Sequence, residues 1–274
     1  MAADARTLLA ARQINWGQSA QTRTPDPVAA AALIDRLGIA TLYPVSPELP
    51  DLLHAYTGDP STTTDSHWDS PTGHIYAWRW ELGRQEAAFY TAIVRGRPTL
   101  VAWSLLPSVL RLRADLRGSE HLYASGLLSE GAARIARALD SAGGVLGTSE
   151  LRQAAGFPTG KEQRAAFLKA VAELDARLLL AKVFSPDDED MRHALVATRY
   201  PEALATARDL DPAAAMDALL VAYLPSAVFA LPGPLAKHLG LEAGALRAGL
   251  DRLVAAGVAE SAAVTGLGEC TIWR

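Results

Sequence analysis

Apolar residues in the second half of the chain recur at helical spacing and give way to short extended runs. In residues 129–144 a serine suited to cap a helix precedes apolar residues that share one face. A short second helix follows Thr148 and a third lies within residues 158–182. Two strands joined by an acidic turn, SPDDED, come next. Three helices and a β-hairpin in this order are typical of a winged helix-turn-helix.

The same order of predicted elements returns near the C-terminus. A helix beginning at the Asp211–Pro212 pair is followed by a short helix in LPGPLAKHLGL and a longer one in EAGALRAGLDRLVAAG. A hairpin with a glycine-containing turn comes last. The two copies share no convincing sequence identity, so the repeat is one of architecture.

The N-terminal part is less regular. Helices are predicted at 3–15 and 27–37, the second with Asp26 as N-cap and Gly38 as its end. The other predicted segments are a surface loop at 58–73, an aromatic stretch and then a helix at 83–94, a strand at 99–103 and a helix at 106–116.

These patterns predict a mainly α fold with small β-hairpins, of the α+β class. It is built from tandem winged helix-turn-helix units, three of them if the N-terminal part forms a decorated first unit. The expected boundaries are 1–125 for the N-terminal unit, 126–203 for the middle winged helix and 204–274 for the C-terminal one.

Composition narrows the class of protein. Half of the 274 residues are apolar, so the chain can bury a core, and no run approaches the roughly 18 apolar residues of a membrane helix. The first residues do not resemble a signal peptide, and Cys270 is the only cysteine. We therefore expect a cytoplasmic protein without disulfides.

Charge is distributed unevenly along the chain. The net charge is −4, which argues against nonspecific coating of nucleic acid. Between Arg79 and Arg117, however, seven arginines stand against three acids. Arginine forks pair with phosphate oxygens and give affinity without reading sequence.

Two stretches carry a resemblance to a known family. Residues 35–53 read DRLGIATLYPVSPELPDLL, and residues 89–107 read FYTAIVRGRPTLVAWSLLP. With the winged helices that follow, they make the chain resemble winged-helix proteins related to the AlkZ-like DNA glycosylases. Those bacterial enzymes excise bulky alkylated or crosslinked bases. The resemblance implies an arc of winged-helix units with a basic concave face for duplex DNA.

The resemblance also assigns a catalytic segment. In that family a glutamine, an apolar residue and a glutamine or aspartate follow an RLG-like turn and activate water. The same register places Thr41 and Tyr43 at these positions, on one face of an extended segment. Threonine is a poor base and tyrosine a neutral donor, so hydrolysis is not supported. An ordinary strand is the alternative. Glu48 is the nearest carboxylate that could act as the base instead of the two motif residues.

Candidate DNA contacts follow from the basic residues. Those of the N-terminal part are Arg79, Arg95, Arg97, Arg111, Arg113 and Arg117; those on the third helix of the middle unit are Lys161, Arg164 and Lys169. Arg79 lies between Trp78 and Trp80. Tryptophans two positions apart are typical of the buried face of a strand, and the alternative is that they stack on unpaired bases. A solvated face paired with local acids is the alternative for the other arginines.

The sequence thus predicts a protein that binds double-stranded DNA, in a damage-related role, with an altered glycosylase motif. Two alternatives stay open: a transcriptional regulator or protein-interaction module without enzymatic activity, and an active glycosylase. We expect no cofactor, no metal and no membrane partner, since His67 and His74 fit no zinc spacing. A monomer that associates with the nucleoid when bound to DNA is the assumed state.

Overall fold

The computed structural model describes residues 4–187 and 190–274. Within them, three successive groups of elements share one order: a helix, a strand, two helices and two strands. Each group forms a three-stranded antiparallel sheet in which its last strand lies between the other two. The fold is therefore α+β, as predicted from the sequence.

The first group, here called the first unit, begins at the predicted helix 27–37 and ends within the arginine-rich stretch. Helix α1 (Ala5–Asn15) precedes it, and its elements are α2 (Pro27–Leu37), β1 (Ile39–Thr41), α3 (Leu52–Thr57), α4 (Pro71–Arg84), β2 (Phe89–Val94) and β3 (Arg97–Val101). The Asp26 carboxylate accepts from the Ala29 amide at 2.8 Å, and Gly38, with φ +77°, ends α2. Both limits of this helix were predicted.

The second group, the middle unit, follows two short connecting helices, α5 (Leu106–Arg113) and α6 (Ser119–Ala124). Its elements are α7 (Glu130–Ser141), β4 (Leu146–Gly147), α8 (Thr148–Ala154), α9 (Lys161–Ala176), β5 (Leu180–Phe184) and β6 (Met191–Leu195). The helices bury one apolar cluster around Ile135 and Phe167. Asp188 and Glu189 of the predicted acidic turn lie outside the described residues.

The third group, the third unit, comes after two further connecting helices, α10 (Val196–Arg199) and α11 (Pro201–Asp209). Its elements are α12 (Pro212–Ala227), β7 (Phe229–Ala230), α13 (Pro232–Leu239), α14 (Ala243–Ala255), β8 (Ala259–Val264) and β9 (Gly268–Trp273). The predicted turn of the last hairpin is present, and Gly266 and Gly268 adopt positive φ angles there.

The first and third units share one hydrophobic core. Helix α12 packs against α5 and α2, and α11 packs against α5. Leu219 and Tyr223 of α12 belong to the same buried cluster as Leu37 and Leu110. The two units that are most distant along the chain are therefore the ones with a common interior.

The middle unit joins this core through its hairpin. The Phe184 ring meets the rings of Trp80 and Tyr90 edge to face, with centroids 5.5 and 5.4 Å away. Gly83 of α4 lies directly beneath Phe184, and a Cβ atom there would be 2.2 Å from the ring. A side chain at this position is excluded unless the units move apart.

The sequence prediction was wrong for residues 74–94. Residues Pro71–Arg84 form a helix, with Ser70 accepting from the Gly73 amide, and Phe89–Val94 form a strand. Trp78 and Trp80 are both buried although positions i and i+2 face different sides of a helix. Helix α4 is covered by α3 on one side and β5 on another, which gives both rings a core environment.

Other boundaries moved by a few residues. The loop predicted at 58–73 ends at Ser70, because Ser70 and Pro71 start α4. The predicted strand at 99–103 is Arg97–Val101, and the predicted helix at 106–116 is Leu106–Arg113. The first helix begins at Ala5, and Ala3 lies outside the described residues.

A buried polar chain runs through the middle unit. The Lys182 ammonium lies 2.9 Å from an Asp175 carboxylate oxygen and donates to Nδ1 of His193 at 3.2 Å. Nε2 of His193 lies 3.2 Å from the Thr148 hydroxyl, which donates to the Met191 carbonyl oxygen at 2.9 Å. Because Nδ1 accepts, the proton of the neutral ring is on Nε2.

Candidate nucleic-acid interface

A cleft of about 750 Å³ opens in the first unit beside the end of β1. The segment after β1, the loop before α4, the first turns of α4 and the tip of the β2–β3 hairpin surround it. Its most chemically distinctive lining residues are Tyr43, Asp65, Trp68, Tyr76, Arg95 and Arg97.

The loop before α4 is fixed by hydrogen bonds of Asp65. One carboxylate oxygen accepts from the His67 amide at 2.9 Å and from the Ser70 hydroxyl at 2.6 Å. These contacts lower the pKa of Asp65, with the Ser70 hydroxyl as the largest cause. The Trp68 carbonyl oxygen lies only 2.0 Å from where a Cβ on Gly73 would be. The loop therefore rests on the helix start, and glycine is needed there.

Aromatic side chains form one part of the cleft wall. The Trp68 and Tyr76 ring centroids are 5.3 Å apart, and the Arg79 guanidinium lies over the Tyr76 ring at 3.6 Å. The Tyr43 hydroxyl donates to the Thr72 carbonyl oxygen at 3.1 Å. Burial raises the pKa of Tyr43, and the charge of Arg79 opposes this, so Tyr43 is a neutral phenol at physiological pH.

Two arginines at the hairpin tip form another part of the wall. Arg95 and Arg97 are exposed, and Arg95 and Gly96 adopt φ angles of +52° and +72° that turn the chain. Among the described residues neither guanidinium has an ion-pair partner. Free guanidiniums next to an aromatic wall attract a ligand that carries both anionic groups and flat rings.

The third unit adds positive charge near this tip. Burial lowers the pKa of His238 on α13, and the charges of Arg95 and Lys237 lower it further. Helix α13 contacts β2, which places Lys237, an exposed residue, in the same basic region. Sequence reasoning missed Lys237 because an isolated lysine in a short helix carries no signal until the third unit packs on the first.

Thr41, one of the two motif positions, lies away from the cleft wall. Its side chain is in β1, is 1% exposed and donates to the Tyr43 carbonyl oxygen at 2.8 Å. The structure thus places Tyr43 in the cleft and Thr41 in the core beneath it. With its hydroxyl proton given to a carbonyl, Thr41 is oriented to support the turn that carries Tyr43.

Glu48 lies in the interface between the first and third units. Its carboxylate is 3.3 Å from the Arg12 guanidinium, and both side chains are almost fully buried. Arg12 also donates to the carbonyl oxygens of Ala227 and Phe229, and the Tyr223 hydroxyl donates to the Glu48 carbonyl oxygen at 2.8 Å. These contacts make Glu48 part of the packing between units.

Of the other predicted arginines of the N-terminal part, Arg113 and Arg117 have protein partners, and Arg79 and Arg111 are half-buried. Arg113 donates to the Leu239 carbonyl oxygen, and burial lowers its pKa. Arg117 pairs with Asp115 at 2.8 Å, and this hydrogen bond is the main reason the pKa of Asp115 falls to about 2. Arg111 is half-buried and Arg79 stacks on Tyr76, so neither resembles the free guanidiniums of the hairpin tip.

The basic residues of the middle unit form a separate exposed group. Lys161, Arg164 and Lys169 are all exposed on α9, with Glu162 among them. None of the three lines the cleft. The structure therefore yields two candidate DNA-contacting surfaces, the hairpin tip of the first unit and the start of α9.

A second cavity of about 410 Å³ lies on the other side of residues 44–47. Beside it the His54 ring contacts two acceptors, an Asp51 carboxylate oxygen at 2.8 Å and the Thr62 carbonyl oxygen at 3.0 Å. Burial opposes protonation, but the Asp51 hydrogen bond and charge dominate and raise the pKa of His54. The ring fixes the start of the 58–70 loop to α3.

The part of the chain that the structure describes contains neither a cluster of metal-ligating side chains nor a helix that could span a membrane. Across residues 4–187 and 190–274, no three histidine, cysteine, aspartate or glutamate side chains are grouped as metal ligands would be. The helices in these ranges are too short or too polar to cross a membrane.

Comparison with known proteins agrees with the resemblance seen in the sequence. Residues 26–218, more than half of the chain, match the model of a family described as AlkZ related. In structure, the chain is similar to Streptomyces sahachiroi DNA glycosylase AlkZ, with a TM-score of 0.61 and 17% sequence identity over 100% of this chain and 71% of that one. No curated protein sequence matches the chain.

Proposed function

The chain belongs to the AlkZ-related family, and from this premise we propose that it binds duplex DNA in a damage-related role. The supporting observation is the pair of exposed arginines, Arg95 and Arg97, at the hairpin tip beside an aromatic cleft, neither of which has an ion-pair partner among the described residues. The structurally similar Streptomyces protein is a DNA glycosylase. On this proposal, the three groups of elements are winged helices that divide at about residues 125 and 203.

Binding is proposed to be electrostatic and to follow the shape of the duplex. Arg95, Arg97 and Lys237 contact phosphates at one surface, and Lys161, Arg164 and Lys169 contact them at another. Contacts of this kind release counterions, so affinity falls steeply with salt. The net charge of −4 keeps nonspecific binding weak away from these two surfaces.

The test is the salt dependence of binding to a short duplex. Removing one phosphate-binding side chain should reduce the slope of log affinity against log salt by about 0.9. Replacing Arg95 and Arg97 together by alanine should therefore reduce the slope by about 2. The matched control is Arg117→Ala, because Arg117 is exposed but already paired with Asp115. Absence of duplex binding by the wild type at low salt would refute the proposal.

We further propose that the segment around Thr41 and Tyr43 does not hydrolyse glycosidic bonds. Thr41 is buried, Glu48 is paired with Arg12, and Tyr43 is a neutral phenol. None of these groups is placed to act as a base on water in the cleft. The wild type should therefore release no base from alkylated or crosslinked duplexes. Base release that disappears in Tyr43→Phe would overturn this and assign the chain as an active glycosylase.

A second candidate function is a protein-interaction or regulatory module without enzymatic activity. It is favoured by the third unit, where Arg252 pairs with Asp217 at 2.6 Å and the exposed Glu242 starts α14. Acidic residues repel phosphate, so α14, the third helix of this unit, is poorly suited to bind in a DNA groove. Failure to bind any duplex at low salt would favour this function over the first.

A further inference from the structure

Trp68 differs from the tryptophans of the surrounding core. Its side chain is 68% exposed, whereas Trp78 and Trp80 of the neighbouring helix are buried. It is also the one large apolar residue in the polar stretch STTTDSHWDSPTG. A single exposed apolar residue is common on a protein surface. Trp68 is distinctive because its exposed side chain lines the same cleft as Arg95 and Arg97.

The surrounding structure holds Trp68 in place. The Asp65 and Ser70 hydrogen bonds fix the loop, and the Trp68 carbonyl oxygen lies against Gly73. One side of the Trp68 ring meets Tyr76, which in turn is stacked under Arg79. A ring with fixed backbone and one supported side is ordered in advance, which reduces the entropy cost of stacking on a ligand.

The side chains that line the cleft indicate the kind of ligand that would bind there. Tyr43, Trp68 and Tyr76 offer aromatic surface, and Arg95 and Arg97 offer positive charge with no protein partner among the described residues. A nucleotide combines a flat ring with flanking phosphates, and base–aromatic stacking tolerates every base. A volume of about 750 Å³ is ample for one nucleotide.

We propose that Trp68 stacks on an unpaired nucleobase of a DNA duplex, and that Arg95 and Arg97 bind the phosphates on either side of that base. This proposal rests on the duplex-binding function and adds the feature that is recognised: a base already outside the helical stack. An extrahelical base costs less to capture than a paired one, because its unpairing has already occurred.

The experiment compares two duplexes that differ only by one unpaired 2-aminopurine, which is inserted in one strand of the second. The wild type should bind the second more tightly by about 5- to 150-fold, the range expected for one stacked base. 2-Aminopurine fluorescence should be quenched on binding. Trp68→Ala should bring the affinity ratio close to one, and Trp68→Phe should restore most of it.

The matched control is Tyr123→Ala, because Tyr123 is an exposed aromatic residue on α6 that does not line the cleft. It should keep the wild-type ratio. Equal affinity of the wild type for both duplexes would refute the stacking proposal and leave duplex binding intact. Binding to neither duplex would refute both proposals. A ratio that Trp68→Ala leaves unchanged would assign recognition of the base to another residue.

Discussion

Acidification is expected to destabilise the protein through one buried ring, that of His193. The ring is 5% exposed and lies between the Lys182 ammonium and the Thr148 hydroxyl. Burial is the main cause that lowers the pKa of His193 to about 3, and the charge of Lys182 adds to it. In the unfolded chain the same side chain has a pKa of about 6.5.

The sign and size of the effect follow from proton linkage. Between about pH 6.5 and pH 3 the unfolded state binds a proton that the folded state excludes, so stability falls as pH falls through this window. Each pH unit below 6.5 costs about 1.4 kcal/mol, which gives about 2 kcal/mol at pH 5. That is a substantial part of the stability of a typical domain.

The assay is urea unfolding, followed by circular dichroism, at about pH 7 and pH 5. Between these conditions His193→Gln should lose about 2 kcal/mol less stability than the wild type. The carboxylates, including Asp175, whose pKa burial raises, titrate in both proteins and so largely cancel in the comparison. The control is His121→Gln, since the His121 ring is exposed on α6.

Equal losses of stability in the wild type and in His193→Gln would refute the reasoning. That result would mean that the folded protein accepts a proton on His193, either because water reaches the ring or because Lys182 moves away. If His121→Gln also lost about 2 kcal/mol less stability than the wild type, the difference would be a general effect of removing a histidine.

Three further predictions concern the contacts between elements. Gly83→Ala should lower stability by about 1–3 kcal/mol in urea unfolding, because its methyl group would overlap the Phe184 ring; an unchanged midpoint would contradict this. Arg12→Met should lower stability by about 3–5 kcal/mol, because it leaves Glu48 buried without its partner. Adding Glu48→Gln should recover part of that stability, and no recovery would show that the ion pair is not the cause. The stabilisation from His54 should be complete below about pH 6.5 and be lost as pH rises through its raised folded pKa, with NMR titration of the ring as the measurement.

Periodicity and capping residues were sufficient wherever an element has one buried face. Helix α2 has its predicted limits because Asp26, Pro27 and Gly38 act locally, within a few residues. Helix α7 and the two later hairpins were predicted for the same reason. Local signals therefore determined most of the middle and third units.

Periodicity failed where burial is imposed by distant parts of the chain. Helix α4 is covered on two sides, so its apolar positions show no helical stripe, and Trp78 and Trp80 imitated a strand. The covering strand, β5, comes about a hundred residues later in sequence. A short stretch of sequence around α4 does not include β5, so it cannot indicate that α4 is covered there.

Part of the candidate site could be predicted from the sequence. Arg95 and Arg97 were identified from the local charge pattern and Tyr43 from the resemblance, and all three line the cleft. Trp68 was not singled out, although a lone tryptophan in a polar loop was a visible signal. The sequence also did not show that Glu48 is paired with Arg12, because that contact depends on how α1 packs between units.

The core common to the first and third units has a consequence for synthesis of the protein. As the chain leaves the ribosome, the apolar faces of α2 and α5 emerge long before α12, which covers them. The middle unit, with its own cluster around Phe167, is made in between. The core around α2 and α5 is thus completed only when α12 has been made, and a nascent chain stopped before Leu219 exposes that surface to chaperones and to aggregation.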